Sequence, residues 1–371
     1  MQTYPLQQGG NIMKKSIVLT ALLAVSVVLS ACNKEVSAEL PEETGVQTTV
    51  EKPVETPSEP ETEEPTAEVK HRYDEPLDGL SPLTGMPYEG DGRVIMVQME
   101  NTSKARPHSG LKEAQLIYEM EVESTITRLT TFFLGTYPEK AGPVRSARKQ
   151  HIELWNEWNY LYVFYGGSTF KPGQDIYEWI DNLGITAKRV DGTKNSTGFS
   201  RSTDRVAPHN AYTNLEVVLE KAYDFQPESR TINFDENVEV NGESAKKISL
   251  SYRSDNKITY EFSEETGNYL RFINGEPMMD KEVNEQIDVK NVIIQHANHY
   301  AVTDTVYTNI DLIGTGTAEY FTEGMMRKGT WEKKDEDSFT IYYDEAGNEI
   351  SFKPGKSFIQ IMRNDSEVIF E

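Results

Sequence analysis

The sequence contains a single cysteine, Cys32, among its 371 residues. One thiol excludes a disulfide framework and a zinc site built from several thiolates. The sequence also lacks an apolar run of the roughly 20 residues that a membrane-spanning helix requires. Basic residues are few, with 37 Lys and Arg against 60 Asp and Glu and a net charge of −23. This charge argues against nucleic acid and anionic lipid surfaces as partners.

The cysteine closes a short apolar stretch, residues 17–29, that follows two lysines. A basic start, an apolar segment too short to span a bilayer and small residues at its end are typical of an export signal. Leu29-Ser30-Ala31-Cys32 resembles the lipobox of bacterial lipoproteins, which implies that Cys32 is acylated and becomes the mature N-terminus. We predict a signal peptide over residues 1–31, with Met13 as the true start, and a lipid-anchored protein on the outer face of the cell membrane.

The segment after the cysteine has a composition that does not support folding. Residues 33–70 contain eleven Glu, five Pro and no aromatic residue, so they bury too little apolar area to offset the entropy lost on ordering. We predict a disordered acidic tether over residues 32–71, which either lifts the folded part off the membrane or serves only as a solvated linker. Residues 71–371 still carry a net charge of −17, so the folded part is acidic in its own right.

The hydrophobic pattern divides the rest of the chain into two parts. Over residues 94–223, strand-like runs alternate with helix-like segments, which is typical of a mixed α/β domain. From Ala245 onward the runs are strand-like and separated by turns, among them the hairpin signal Asn274-Gly275. We predict an α+β fold, with a mixed α/β domain over residues 72–235 and a mainly β domain over residues 236–371.

Motifs in both parts resemble those of the YerB-like lipoproteins of Gram-positive bacteria. They are Pro82-Leu83-Thr84-Gly85, Ala105-Arg106-Pro107-His108-Ser109-Gly110-Leu111, Tyr118-Glu119, Gly142-Pro143-Val144-Arg145-Ser146-Ala147-Arg148, Ala207-Pro208-His209-Asn210, Gly314-Thr315-Gly316, Gly329-Thr330-Trp331 and Lys353-Pro354-Gly355. The resemblance covers nearly everything after the tether and implies a two-domain exported lipoprotein. It implies no activity, because the family has no assigned function and no established catalytic residues.

Arginines cluster where a strand gives way to a helix-like segment over residues 146–158. We expect Ser146 to cap this helix, which places Arg145 and Arg148 at its N-terminus. Cations there oppose the macrodipole at a cost of some tenths of a kcal/mol each, and sequences break local rules most often at functional sites. We predict an anion-binding site formed by Arg145, Ser146, Arg148, Arg106, Arg128, Arg201 and Arg205. The alternative is that these arginines pair with structural carboxylates.

Three glutamates alternate with apolar residues in a strand-like run. Glu119, Glu121 and Glu123 are expected to project from one face of this strand, with successive side chains about 7 Å apart at the backbone. That spacing is close to the carboxylate separation of inverting glycosidases. Glu119 and Glu121 are therefore weak catalytic candidates. The alternatives are ion pairs with the arginines and a solvated strand face.

Other candidate residues carry weaker signals. His108 and His209 each follow a proline, so each is either a general base or ligand, or a loop histidine bonded to backbone. Residues 166–168, Gly-Gly-Ser, form either an anion nest or an ordinary strand-to-helix turn. The aromatic side chains of residues 155–162 suit sugar stacking or, more commonly, a core. No cofactor and no metal site is predicted.

Together these patterns indicate a cell-envelope protein whose chemistry the sequence constrains only in part. Our main hypothesis is a binding or interaction module that holds an anionic wall component, a small solute or an envelope protein at the Arg145 and Arg148 end of the helix. The first alternative is an envelope hydrolase that acts on wall glycan or phosphoester through Glu119 and Glu121. The second is a non-catalytic structural partner of wall-synthesis proteins.

Overall fold

A computed structural model describes residues 79–90, 92–224 and 231–371. The predicted signal peptide, the predicted lipidation site Cys32 and the predicted tether lie outside these residues. Within the part that is described, no helix is both long and apolar enough to cross a membrane. The boundary near residue 235 stays a prediction.

Strands dominate the described part of the chain, and three helices interrupt them. The helices are α1 (Lys149–Trp158), α2 (Ile176–Leu183) and α3 (Leu215–Ala222). The strands are β1 (Ile95–Glu100), β2 (Leu116–Glu123), β3 (Ile126–Phe133), β4 (Leu161–Phe164), β5 (Arg189–Asp191), β6 (Phe199–Arg201), β7 (Ala211–Thr213), β8 (Glu243–Ser244), β9 (Lys247–Arg253), β10 (Asn256–Ser263), β11 (Asn268–Ile273), β12 (Glu276–Pro277), β13 (Asp288–Val289), β14 (Asn291–Ala297), β15 (His299–Ala301), β16 (Thr308–Ile310), β17 (Gly314–Thr322), β18 (Met325–Lys333), β19 (Ile341–Asp344), β20 (Ser357–Arg363) and β21 (Ile369–Phe370). All three helices lie in the N-terminal half, so the predicted α+β class is confirmed.

The main sheet runs continuously from the N-terminal half into the C-terminal half. Its order is β19-β18-β17-β14-β20-β2-β3-β1-β4-β5, and β8 pairs with β18 as its eleventh strand. Strand β20 joins the halves, because it pairs in parallel with β14 on one side and with β2 on the other. A second sheet has the order β12-β11-β10-β9-β21, with β13 paired to β11. Buried apolar residues form two clusters, and the alternating residues of β2 contribute to both.

Parallel pairing of three strands decides where side chains converge. Strand β4 pairs in parallel with β1 and with β5. The carboxyl ends of these strands, at Glu100, Phe164 and Asp191, therefore lie at one edge of the sheet. In open sheets with parallel strands, this edge is where ligands bind.

The structure corrects the predicted start of the first helix. Helix α1 begins at Lys149 with Arg148 as its N-cap, so Ser146 does not cap it. Ser146 instead donates its hydroxyl to the carbonyl of Tyr165 at 3.0 Å, while Ala147 forms a bridge with Gly167. The segment over residues 145–147 is thus extended chain beside β4, because pairing with the end of that strand satisfies its backbone before the helix begins.

Two other local predictions concern a turn and a group of aromatic residues. Asn274 and Gly275 have φ of 55° and 83° and join β11 to β12, which is the left-handed pair that a tight hairpin turn requires. Four aromatic side chains, Trp155, Trp158, Tyr160 and Tyr162, are at most 3% exposed. Because they are buried in the core, they do not form a sugar-stacking surface.

Candidate functional site

The candidate site is a cleft of about 550 Å³ at the carboxyl edge of β1, β4 and β5. Arg145 and Ser146 line it beside the end of β1, Gly166 and Gly167 follow β4, and Lys194 follows β5. Arg201, Tyr165 and Tyr177 also line it. Three cationic side chains and no carboxylate therefore line the cleft, as far as the described residues show. In a chain with a net charge of −23, this is a local reversal of sign.

Arg145 is the most informative residue of the cleft. Its side chain is 27% exposed, and its Nε lies 3.5 Å from an oxygen of Glu100. Neither that Nε nor the facing Oε2 of Glu100 makes a hydrogen bond to a described residue. The backbone N–H of Arg145 donates to the carbonyl of Gln98, which fixes the residue beside the end of β1. Arg145 thus forms a long ion pair with Glu100 and also lines the cleft, where its guanidinium can attract an anion.

The other two cations lie over aromatic rings rather than beside carboxylates. Arg201 donates to Asn210 and to the hydroxyl of Tyr165, and its guanidinium lies 5.1 Å from the Tyr165 ring centre. The Lys194 ammonium lies 3.4 Å from the centre of the Tyr177 ring. Neutral partners leave these positive charges uncompensated, so they add to the attraction for an anion.

Asp191 holds the turn that follows β4, and its contacts contradict the predicted anion nest. Its Oδ1 accepts from the backbone N–H groups of Gly166 and Thr193, at 2.9 and 3.0 Å. Its Oδ2 accepts from the Tyr177 hydroxyl at 2.6 Å. The N–H of Gly166 is thus already bonded within the protein, so residues 166–168 form a turn held by a carboxylate rather than an open anion nest.

Glu100 is a residue of this region that the sequence analysis missed. It is 2% exposed, and its Oε1 accepts from the Thr102 hydroxyl at 2.8 Å and faces Nδ1 of His209 at 2.7 Å. A buried carboxylate that holds one ring nitrogen fixes the orientation of the imidazole. Glu100 is the last residue of β1. It lies beyond the strand-like run from Val94 to Val97, so the sequence pattern did not indicate that it reaches the edge of the sheet.

Two of the predicted arginines pair with a glutamate of β2. Arg148 donates through Nε to Oε1 of Glu123 at 2.7 Å, and Arg128 lies 3.3 Å from its Oε2. Arg128 also donates to the Ser146 carbonyl at 2.6 Å. Burial and the charge of Arg148 lower the pKa of Arg128 to about 9. Neither of these two arginines lines the cleft, because both pair with the negatively charged Glu123.

The remaining predicted arginines lie elsewhere. Arg205 donates to the carbonyls of Ala105 and Pro107. Arg106 lines two other cavities and takes no part in the cleft. The structure therefore brings together Arg145, Ser146 and Arg201 and separates them from Arg106, Arg128, Arg148 and Arg205.

The catalytic candidates Glu119 and Glu121 are buried and bonded to other side chains of the protein. Glu119 is 0% exposed and accepts from Asn101, from Thr127 and from the equally buried Arg271, the last at 2.6 Å. Glu121 is 1% exposed and forms a two-pronged pair with Arg363 at 2.9 and 2.6 Å. Both carboxylates are closed off by protein partners, so their surroundings favour ion pairing over the predicted hydrolytic role.

The two candidate histidines differ in burial. His108 is 0% exposed, and its Nε2 lies 2.6 Å from the carbonyl of Glu100. Burial lowers the pKa of His108 to about 3, so it is neutral at physiological pH and has no access to a ligand. His209 is partly exposed beside the cleft, next to the lining residue Pro208. No group of three His, Cys, Asp or Glu side chains suited to a metal occurs among the residues that the structure describes.

Comparisons with known proteins give the family. Residues 83–228 match the model described as "Protein of unknown function (DUF3048) N-terminal domain", and residues 248–359 match the corresponding C-terminal domain. The chain is 26% identical over 298 residues to a Bacillus subtilis (strain 168) protein named "Putative lipoprotein YerB", which covers 76% of this chain and 86% of that protein. The crystal structure of YerB from Bacillus subtilis matches with a TM-score of 0.67 and covers 78% of this chain and 99% of that one. The chain is thus a homologue of YerB and belongs to the DUF3048 family of unknown function.

Proposed function

We propose that this protein is a lipid-anchored, extracytoplasmic module of the cell envelope that binds an anionic group in the cleft of Arg145, Lys194 and Arg201. The observation that carries the proposal is the set of three cationic side chains, Arg145, Lys194 and Arg201, that line one cleft with no carboxylate among its described lining residues. The lipobox-like sequence at Cys32 and the name of the Bacillus subtilis relative support the anchor.

The charges around the cleft favour a small anion over an acidic protein surface. Lys194 and Arg201 lie on aromatic rings that also line the cleft, so cationic and apolar surfaces alternate within about 550 Å³. Phosphate and carboxylate groups both match a guanidinium donor. A phosphorylated or carboxylated component of the wall would meet this chemistry on the outer face of the membrane.

Thermal unfolding of the full chain in a non-ionic detergent tests the anion site. The panel comprises inorganic phosphate, sulfate, citrate and fragments of teichoic acid and muropeptide. A ligand at a hundredfold excess over its Kd stabilises the native state by about 2.7 kcal/mol. We expect a saturable rise in Tm for the wild type that is lost in the Arg145→Gln/Arg201→Gln variant.

The matched control is the Lys221→Gln/Lys328→Gln variant, which removes two exposed cations outside the cleft. It lowers the net charge equally and should keep the full ligand-dependent rise. If no anion stabilises the wild type, or if the control loses the effect as well, the anion site is refuted. The hypothesis of a structural partner of wall-synthesis proteins would then take its place.

Metabolic labelling with a palmitate analogue tests the anchor separately. The wild type should incorporate the label and sediment with membranes. The Cys32→Ser variant should lose both properties, since Cys32 is the chain's only cysteine. A labelled Cys32→Ser protein would contradict lipidation at this residue.

A further inference from the structure

Arg106 is a half-buried cation with no carboxylate within ion-pair distance in the described part of the chain. Its Nε donates weakly to the Thr102 carbonyl at 3.4 Å, and no ion pair joins it to any residue in the described ranges. Removing a cation from water without a counter-charge is unfavourable. Burial and the neighbouring charge of Arg271 lower the pKa of Arg106, and the more distant charges of Glu119 and Asp255 offset this only in part. An anion beside this guanidinium would relieve both effects.

Arg106 lines a cavity of about 390 Å³ that the Bacillus subtilis comparisons leave unassigned. The cavity lies between the loop that follows β1 and the segment that contains β12, so it joins parts of the chain matched by the two family domains. Ligand pockets occur preferentially at such junctions. It is separate from the cleft of Arg145, because the two share no lining residue.

The lining of this cavity has three chemical parts. Arg106 supplies a cation, Glu276 supplies an exposed carboxylate, and Pro107, Ile273 and Met278 supply apolar surface. Glu276 forms no ion pair with a described residue, so its charge is available. Methionine side chains adapt to irregular apolar groups.

We propose that this cavity binds a zwitterionic ligand with an apolar side chain, namely an amino acid or a short peptide. Its carboxylate would bind Arg106, its ammonium would approach Glu276, and its side chain would contact Ile273 and Met278. Guanidinium and carboxylate groups match in a two-pronged geometry. The nearby carboxylate of Glu276 discriminates against a doubly charged phosphate, because like charges repel at close range.

A second cavity favours a peptide over a single amino acid. It has a volume of about 190 Å³, and Ser103 and Arg106 line both cavities, so the two adjoin. Asn101, Thr127 and Asn256 are among its other lining residues, and Arg253 and Asp255 add one charge of each sign. Amide and hydroxyl side chains are the groups that hydrogen-bond a peptide backbone. A dipeptide could therefore extend from the apolar cavity into the polar one.

Methyl NMR of the full chain with labelled methionine gives a direct readout, because Met278 and Met279 line the cavity. The probes are leucine, leucyl-leucine, N-acetyl-leucine and leucinamide at millimolar concentrations. We expect saturable shifts of the Met278 and Met279 signals with leucyl-leucine and smaller effects with leucine. Leucinamide lacks the carboxylate and should not bind.

Three variants test the role of each charged group in binding. Arg106→Gln should weaken leucyl-leucine at least about tenfold, since a charge-assisted hydrogen bond contributes about 1.5 kcal/mol or more. Glu276→Gln should weaken leucine and leave N-acetyl-leucine unchanged. Arg145→Gln/Arg201→Gln should leave every affinity unchanged, because its side chains line the other cleft.

The outcomes are distinguishable. Shifts confined to leucine, with no added effect of the dipeptide, would support the apolar cavity and reject the extension into the polar one. Absence of shifts for all four probes, or equal binding of leucinamide and leucine, would overturn the proposal. Binding that persists in Arg106→Gln, in a variant whose methyl spectrum is otherwise native, would overturn it as well.

Discussion

The glutamate strand, Glu119 to Glu123 of β2, differs from the cleft at the carboxyl edge of β1, β4 and β5 in the partners of its charged side chains. Every glutamate of the strand has an arginine partner, and the pair of Glu119 with Arg271 is 0% exposed on both sides. In the cleft, Lys194 and Arg201 lie on aromatic rings, and Arg145 forms a longer ion pair of 3.5 Å with Glu100 while it also lines the open volume.

This difference separates structural arginines from available ones. An arginine whose donors are already bonded to carboxylates contributes to folding and has nothing left for a ligand. A partly exposed arginine that faces open volume and has only a neutral partner or a long ion pair contributes little to folding. Arginine content alone therefore says nothing about function, and the partner of each side chain decides which role it has.

The largest effect should come from breaking the buried pair. Arg271→Met leaves Glu119 charged and without its partner in the core, so it should lower the free energy of unfolding by about 3–5 kcal/mol. Urea titration of the purified chain measures this loss. The Arg271→Met/Glu119→Leu variant should regain part of it, because it removes the uncompensated charge. A single variant within 1 kcal/mol of the wild type, as a rough limit, would show that the pair is not buried.

The stability of the protein should depend on pH through His108, which lies near several arginines, among them Arg271. Burial lowers its pKa to about 3, and the charges of Arg106, Arg271 and Arg205 add to this. The unfolded chain takes up this proton near pH 6.5, whereas the native state does not, so stability is lost as the pH falls below about 6.5. The free energy of unfolding should fall by about 1.4 kcal/mol for each pH unit below about 6.5, until the pH approaches 3.

The measurement is the difference in unfolding free energy between the wild type and His108→Gln as a function of pH. That difference should be constant above pH 7 and should change with this slope on acidification, since the variant lacks the titrating group. A difference that stays flat between roughly pH 7 and 5 would mean that His108 takes up a proton in the native state.

A smaller effect is expected at the edge of the glutamate strand. Arg148 and Glu123 have side chains that are 11% and 17% exposed, so solvent screens their pair more than the pair of Glu119. Arg148→Gln should lower the free energy of unfolding by about 1–2 kcal/mol. A double-mutant cycle with Glu123→Gln isolates the coupling. A coupling of zero would place Arg148 with the available arginines rather than the structural ones.

The sequence predicted local structure well where the determinants are local. The period of two in β2 correctly placed Glu119 and Glu121 on one face of the strand at Leu116–Glu123. The prediction was wrong for Glu123, because the register shifts after Glu121 and Glu123 lies opposite Ile126 rather than continuing the face opposite Thr127. The turn at Asn274 and Gly275 also follows from local chemistry, because both residues tolerate positive φ. The α+β class follows from the segregation of helical and strand patterns.

The partners of the charged residues could not be predicted, because they depend on long-range pairing. Glu121 meets Arg363 across 242 positions and Glu119 meets Arg271 across 152. The first contact exists only because β20 pairs in parallel with β2, a register that no local pattern specifies. The error at Ser146 has the same origin, since its hydroxyl bonds to Tyr165 instead of capping the helix.

The most direct test of this contrast is the free energy of unfolding of Arg145→Gln with and without saturating inorganic phosphate. We expect the variant to lose no more than about 1 kcal/mol when no anion is present, because Glu100 keeps its contacts with Thr102 and His209. Our account also predicts that the variant does not gain the stabilisation of about 2.7 kcal/mol that the wild type gains at a hundredfold excess over Kd. A variant that is strongly destabilised without phosphate and stabilised by it as much as the wild type would contradict the account and make Arg145 a structural residue.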